Sequence, residues 1–303
     1  MQILRKKQKV WYYGRASVGS KIFDGCNGVL MVLLCLVMLY PLWYVMCCSF
    51  SDPMKLMQHR GALLSPLGFT TRGYGIVLNY KAIWKAYLVT LFEVVVGTSF
   101  NMLFSVLFAF VLSRKNLMWH KLITLIAVFT MYFSGGMIPT YLVVKAVGLY
   151  DNIWALVFPG LISTYNVIIL RTAFYSIPEE LEESAALDGA GKLRILFQIM
   201  VPLIKPSIAA VTLFYAVGHW NEWTSALLYI RNEDLRPLQL VLRSILIQGE
   251  NIEVTGGQDL QTELNNSLLK YCVIVISTVP VLVVYPFIQK YFANGVMVGA
   301  VKG

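Results

Sequence analysis

Trp220, Asn221, Glu222 and Trp223 stand in a row, with His219 just before them, inside a long apolar run. Sugars present apolar C–H faces and a dense set of hydroxyls, so two indoles beside an amide and a carboxylate suit a saccharide path. An ionisable side chain at membrane depth is costly unless it faces protein or water, which makes Glu222 a pathway candidate. The same residues also suit helix packing: Trp220 and Trp223 are i, i+3 neighbours, and polar side chains bridge helices in membranes. Glu93 and Asn101, eight apart in another apolar run, roughly share a helix face and read as packing residues. Other reactive chemistry is missing from the sequence. The five cysteines (26, 35, 47, 48 and 272) have no metal-ligand spacing and read as small buried hydrophobes. There is no nucleophile constellation and no G-x-x-x-x-G-K-[ST] phosphate loop, so the chain cannot bind ATP in the usual way by itself and no cofactor is expected in it.

A second stretch, EESAALDGAGKLRILFQIMVPLIKP from Glu182 to Pro206, is charged where its surroundings are greasy. Ser176 and Glu179 have capping-box spacing, and Pro178 suits a first turn. Glu179, Glu180, Glu182 and Glu183 sit at the positive end of the helix dipole. Gly189 and Gly191 stop that helix. A second short helix then runs to Pro202, with apolar Leu193, Leu196, Phe197 and Met200 at helical spacing. Four clustered acids disfavour an anionic lipid surface, so a protein partner is the better expectation.

These stretches need a scaffold, and composition says which kind. Of 303 residues, 57% are hydrophobic and 14% charged, with mean hydropathy +0.65. Soluble domains carry about 25% charged residues. Six apolar runs follow one another, near 29–50, 86–112, 118–146, 153–175, 207–230 and 268–292. Lipid cannot satisfy backbone N–H and C=O groups, so runs of this length predict helices. The third is broken by SGGMIP, Ser134 to Pro139, read as a packed kink or a hinge. The net charge of +9 is spread between runs, which argues against a nucleic-acid surface. Lys and Arg before the first run, at Arg114, Lys115 and Lys121, and at Lys192, Arg194 and Lys205 put both termini on the cytoplasmic side. The domain plan is a cytoplasmic tail 1–28, a six-span domain 29–293 containing the loop 176–206, and a cytoplasmic tail 294–303.

Glu183, Ala185, Ala186, Asp188, Gly189, Ala190, Phe197, Ile199 and Pro202 follow the spacing of the "EAA" loop of ABC importer membrane subunits, with Ser184 and Val201 as mild departures. GGMIPTYLVVKAVGLYDNIWALVFPG, GHWNEWTSALLYI, PLQLVLRSIL and the C-terminal NGVMVGAVKG resemble carbohydrate importer permeases, in particular the shorter, maltose-type subunit and a lipoprotein-dependent oligosaccharide branch. The resemblance implies an all-α, polytopic type I ABC importer permease fold whose 176–206 loop is a cytoplasmic coupling helix. It also implies a bacterial plasma-membrane location and no enzymatic activity in this chain. The implied partners are a second permease subunit in a heterodimer, two copies of an ATPase that binds ATP and Mg, and an extracellular solute-binding lipoprotein delivering an oligosaccharide. The tail, with Gly299, Lys302 and Gly303, is implied to reach the ATPase pair. In such systems the sugar is held mainly by the larger partner permease, leaving this chain to line the cavity. The alternatives are a stand-alone secondary transporter or channel, with Glu93 and Glu222 as ion sites, and an ABC permease for a non-sugar solute.

Overall fold

The computed structural model describes residues 18–114, 117–248 and 268–286 apart from 285. Every regular element among them is a helix. The chain divides into two units, Met1–Thr70 and Thr71–Gly303. The 1–17 tail, the segment 249–267, and the 294–303 tail with Gly299, Lys302 and Gly303 lie outside the described residues.

The first unit is built on α1 (Val18–Ser49), 32 residues long, or about 48 Å at 1.5 Å per residue. Its most apolar window is wholly unburied within the chain, as a lipid-facing helix requires. Cys26 and Cys35 are therefore exposed on it, contrary to the expectation that every cysteine is buried, whereas Cys47, Cys48 and Cys272 are buried. The short α2 (Pro53–Gln58) is capped by Asp52, whose carboxylate accepts from the Met54 and Lys55 N–H groups. The chain then folds back on α1, where the Trp43 indole N–H donates to the Leu64 carbonyl at 3.0 Å.

The second unit holds α3 (Arg72–Asn79), α4 (Lys81–Leu112), α5 (His120–Tyr132) and α6 (Met137–Ala146). These are followed by α7 (Thr164–Tyr175) and α8 (Glu179–Leu187). Next come α9 (Lys192–Leu203) and α10 (Lys205–Asn221), then α11 (Thr224–Tyr229). The last two are α12 (Leu238–Ile247) and α13 (Leu268–Val284). Among the described residues, only α1 and α4 are single helices long and apolar enough to cross a membrane; α5 with α6, and α9 with α10, pass together but bend by 112° and 90°. The third predicted run is thus a sharp corner at SGGMIP, and the fourth and fifth are not continuous helices. In the fourth, Ile153–Leu156 forms only a 3₁₀ turn and α7 starts at Thr164. The intervening backbone is satisfied by a side chain instead: the Asn101 amide donates to the carbonyls of Gly160 and Leu161 at 2.8 and 2.9 Å. The fifth run stops at Asn221 because Glu222 turns to extended backbone, φ −73° and ψ 127°.

α4 organises the packing. Its C-terminal half contributes Val106, Ala109, Phe110 and Leu112 to a core with α7 (Val167, Leu170, Phe174), α9 (Ile195, Leu196, Met200) and α10 (Val211, Tyr215). Its N-terminal half places Ile83 and Ala86 against α3, α12 and α13. Between the halves lies a π-helical turn, Glu93–Gly97, a local widening common at functional sites. A Cβ at Gly97 would stand 2.7 Å from His219 Nε2, so only glycine lets α10 approach there. The His219 ring nitrogen is in turn 2.8 Å from Asn101 Oδ1. Glu93 is fully buried at this crossing, and among the described residues both its carboxyl oxygens lack a hydrogen-bond partner.

Candidate functional site

The acidic stretch forms α8 and ends as its glycines dictate. Gly189 has φ +83°. The Ala190 N–H donates to the Ala185 carbonyl, and the Gly189 N–H to the Ala186 carbonyl, both at 3.0 Å. These two bonds are a Schellman closure, which needs a left-handed residue just past the helix. At the other end the expected capping box does not form. Pro178 precedes the first turn, while Ser176 closes α7 with its hydroxyl on the Ala173 carbonyl at 2.7 Å. Of the EAA-spaced residues, Ala185, Ala190 and Ile199 pack on the core. Glu183, Ala186, Asp188, Gly189, Phe197 and Pro202 lie at the surface. Around them stand unpartnered apolar side chains: Leu187 is 89% exposed, Leu193 65% and Phe197 44%.

α8 is tied to the rest of the unit through Glu182. Its carboxylate pairs with the Arg114 guanidinium and with Lys192 Nζ at 3.2 Å. Arg114 also lies 4.4 Å from the centre of the Phe110 ring and donates to Met200 Sδ at 3.2 Å. Burial lowers its pKa, opposed by the nearby charges of Glu179 and Tyr175. A groove of about 840 Å³ opens beside this knot, lined by Arg114, Tyr175, Glu179, Glu183 and Lys192 among others. At the other end of the unit, Lys85 pairs with Asp234 at 2.6 Å, and Asp151 Oδ1 accepts from the N–H groups of Arg231 and Asn232, each at 2.8 Å. The backbone N–H groups of Asn232 and Arg231 hold the Asp151 carboxyl below the usual carboxylate range.

The aromatic–amide–acid row behaves differently from its sequence reading. Trp220, Asn221 and Trp223 line one cavity of about 530 Å³, together with Gln239, Arg243, Ser277 and Thr278. Glu222 is not in that lining. The break after Asn221 leaves the first N–H groups of α11 without carbonyls, and Glu222 Oε1 accepts from the Ser225 N–H at 2.8 Å. Trp220 packs edge-on to Tyr87, with ring centres 6.4 Å apart. The Arg243 guanidinium lies 4.4 Å from the centre of the Trp223 ring. Arg243 was not singled out by the sequence reading; the signal for it was an arginine inside the apolar PLQLVLRSIL.

Residues 14–298 match the family described as "Binding-protein-dependent transport system inner membrane component". The chain belongs to that family. Over 289 residues it is 40% identical to the polygalacturonan/rhamnogalacturonan transport system permease protein YtcP of Bacillus subtilis (strain 168), covering 94% of this chain and 99% of the relative. It is likewise 40% identical over 285 residues to protein LplC of the same organism, covering 94% of this chain and 96% of the relative. Among solved structures it superposes with TM-score 0.84, at 32% identity, on a chain of a bacterial ABC transporter involved in the import of the acidic polysaccharide alginate. That match covers 93% of this chain and 99% of that one. The protein is thus an ABC transporter permease subunit of the carbohydrate-import branch, and as such a non-catalytic one.

Proposed function

We propose that this permease is one of two membrane subunits of an ATP-driven importer, translocating an oligosaccharide delivered by an extracellular solute-binding lipoprotein, and that α8 with its Gly189 turn is the cytoplasmic coupling helix. The observation that carries the coupling assignment is the surface around that turn. Leu187 at the end of α8, with Leu193 and Phe197 of α9, exposes apolar area beside Glu183 and Asp188, and α8 is anchored through Glu182 to Arg114, just past α4. An apolar centre with an acidic rim on a rigidly held turn suits a protein cleft. Movement of that cleft would reach α4 and α9 through the same knot.

Six spans with both termini cytoplasmic remain the topology of this reading. It is supported by the way loops of one predicted side meet: Arg114 and Lys192 share Glu182, while at the other end Asp151 meets Arg231 and Asn232. Trp220, Asn221 and Trp223 are proposed to line the sugar path, with Glu222 shaping its break. An oligosaccharide is favoured because the relatives' names concern polygalacturonan, rhamnogalacturonan and alginate. The proposed tail contact of Gly299, Lys302 and Gly303 with the ATPase rests on resemblance alone.

The test is purification in mild detergent with identification of the retained subunits. The reading expects a second permease and an ATPase, and expects Gly189→Pro to release the ATPase while this subunit still inserts. Full retention of the ATPase in that variant would remove the turn from the docking surface.

A further inference from the structure

Two cavities flank α12, and one side chain lines both. The smaller, about 310 Å³, is walled by Arg231, Arg236 and Arg243 with Leu227, Ile230 and Leu240, and among the described residues no acid lines it. The larger is the cavity of Trp220, Asn221 and Trp223, where Arg243 appears again. The arginines are not equivalent. Arg236 is paired with Glu233 at 3.3 Å. Arg231 sits in the loop held by Asp151, whose charge lies near it. For Arg243 the only close charged or aromatic partner among the described residues is the Trp223 ring, and no ion pair forms there between it and a carboxylate.

A guanidinium is always charged and offers five donors in a planar fork matched to a carboxylate. Stacking on an indole orients that plane but satisfies none of its in-plane donors. An arginine kept for structure in an apolar helix would be expected to have an acid or carbonyls along its edge. Arg243 instead lines a cavity shared with the two indoles, the Asn221 and Gln239 amides, the Ser277 and Thr278 hydroxyls, and aliphatic side chains of α12 and α13. We infer that Arg243 is a specificity-determining residue that receives the carboxylate of a uronic-acid sugar as it passes, while Trp220 and Trp223 take the apolar face of the ring. This rests on the import reading above and adds the charge of the cargo and the side chain that reads it.

The test uses the whole assembly in proteoliposomes, with ATP inside and the binding protein outside. Uptake is normalised to assembled complex. The probes are uronic-acid oligosaccharides and neutral oligosaccharides of the same length. Wild type should take up the acidic sugar. Arg243→Gln should lose tenfold or more of that uptake, as expected for removal of a charge-assisted bidentate contact. Arg243→Lys, which keeps the charge but not the fork, should retain measurably more of it than Arg243→Gln, and Lys85→Gln, at the exposed pair with Asp234, should keep all of it. Wild-type uptake of the acidic sugar by Arg243→Gln would overturn the inference. So would equal losses in Gln and Lys, which would mean that Arg243 only packs on Trp223. Uptake of neutral sugars alone would overturn it too, leaving the import reading intact, whereas ATP-driven uptake of neither class would sink that reading itself.

Discussion

Asn101 shows what a single polar side chain does in this interior. Its amide holds the carbonyls of Gly160 and Leu161, and its oxygen faces His219, so one residue joins α4, the loop before α7, and α10. Asn101→Ala would orphan two part-buried carbonyls, a loss of about 1–3 kcal/mol for each group left unsatisfied. The expected result is a clear drop in melting temperature of the purified subunit, against little change for Ser99→Ala, whose hydroxyl only back-bonds to the Val95 carbonyl. Gly97→Ala should also destabilise, by about 1–3 kcal/mol, because His219 is pinned by Asn101 and cannot give way freely. A melting temperature equal to wild type in both variants would show that this crossing is not a clamp. Asp151 makes the loop after α11 pH-dependent. Its folded pKa is depressed by the N–H groups of Asn232 and Arg231, so its contribution is complete above the ordinary carboxylate pKa and is lost as pH falls through the lower, folded value. Melting curves taken from neutral to acid pH should show that component in wild type and not in Asp151→Asn.

At the scale of elements, α8 was legible because its end rests on local backbone chemistry. Gly189 is needed for its left-handed φ of +83° alone, since a Cβ there would meet nothing within 4 Å. Gly189→Ala should therefore cost about 1–2 kcal/mol from backbone strain and partly weaken ATPase attachment. Gly189→Pro also removes the N–H bonded to Ala186 and should abolish it. Identical retention of the ATPase by wild type, Gly189→Ala and Gly189→Pro would contradict the role given to the turn. The start of the same helix departs from the capping-box spacing, because Ser176 has a nearer use in closing α7. Continuous spans were read from apolar content in the fourth and fifth runs, yet hydropathy does not register a carbonyl satisfied from another helix. Asn101 lets the 157–163 segment stay irregular, and Glu222 lets α10 end and α11 begin. Trp220, Asn221 and Trp223 could be found from residue type. Arg243 could not be joined to them from sequence, because the pairing depends on how α12 packs across the break.

At the largest scale, the paired loops of the second unit define two ends of that unit. One carries Arg114, Glu182 and Lys192; the other carries Lys85, Asp234 and the Asp151 loop. In a background lacking the native cysteines, single cysteines at Lys192 and at Asp234 should label from opposite faces of oriented vesicles. Labelling of both from one face would overturn the six-span topology. Belonging to the carbohydrate-import branch makes this chain a conduit whose energy comes from elsewhere, and the exposed turn of α8 is where that energy is proposed to enter. The most direct test is uptake of a labelled oligosaccharide into proteoliposomes holding the complete assembly, with internal ATP and a proton gradient varied independently. Uptake that needs ATP and the binding protein, and ignores the gradient, is the predicted result. Uptake by this chain alone, driven by the gradient without ATP, would contradict the account.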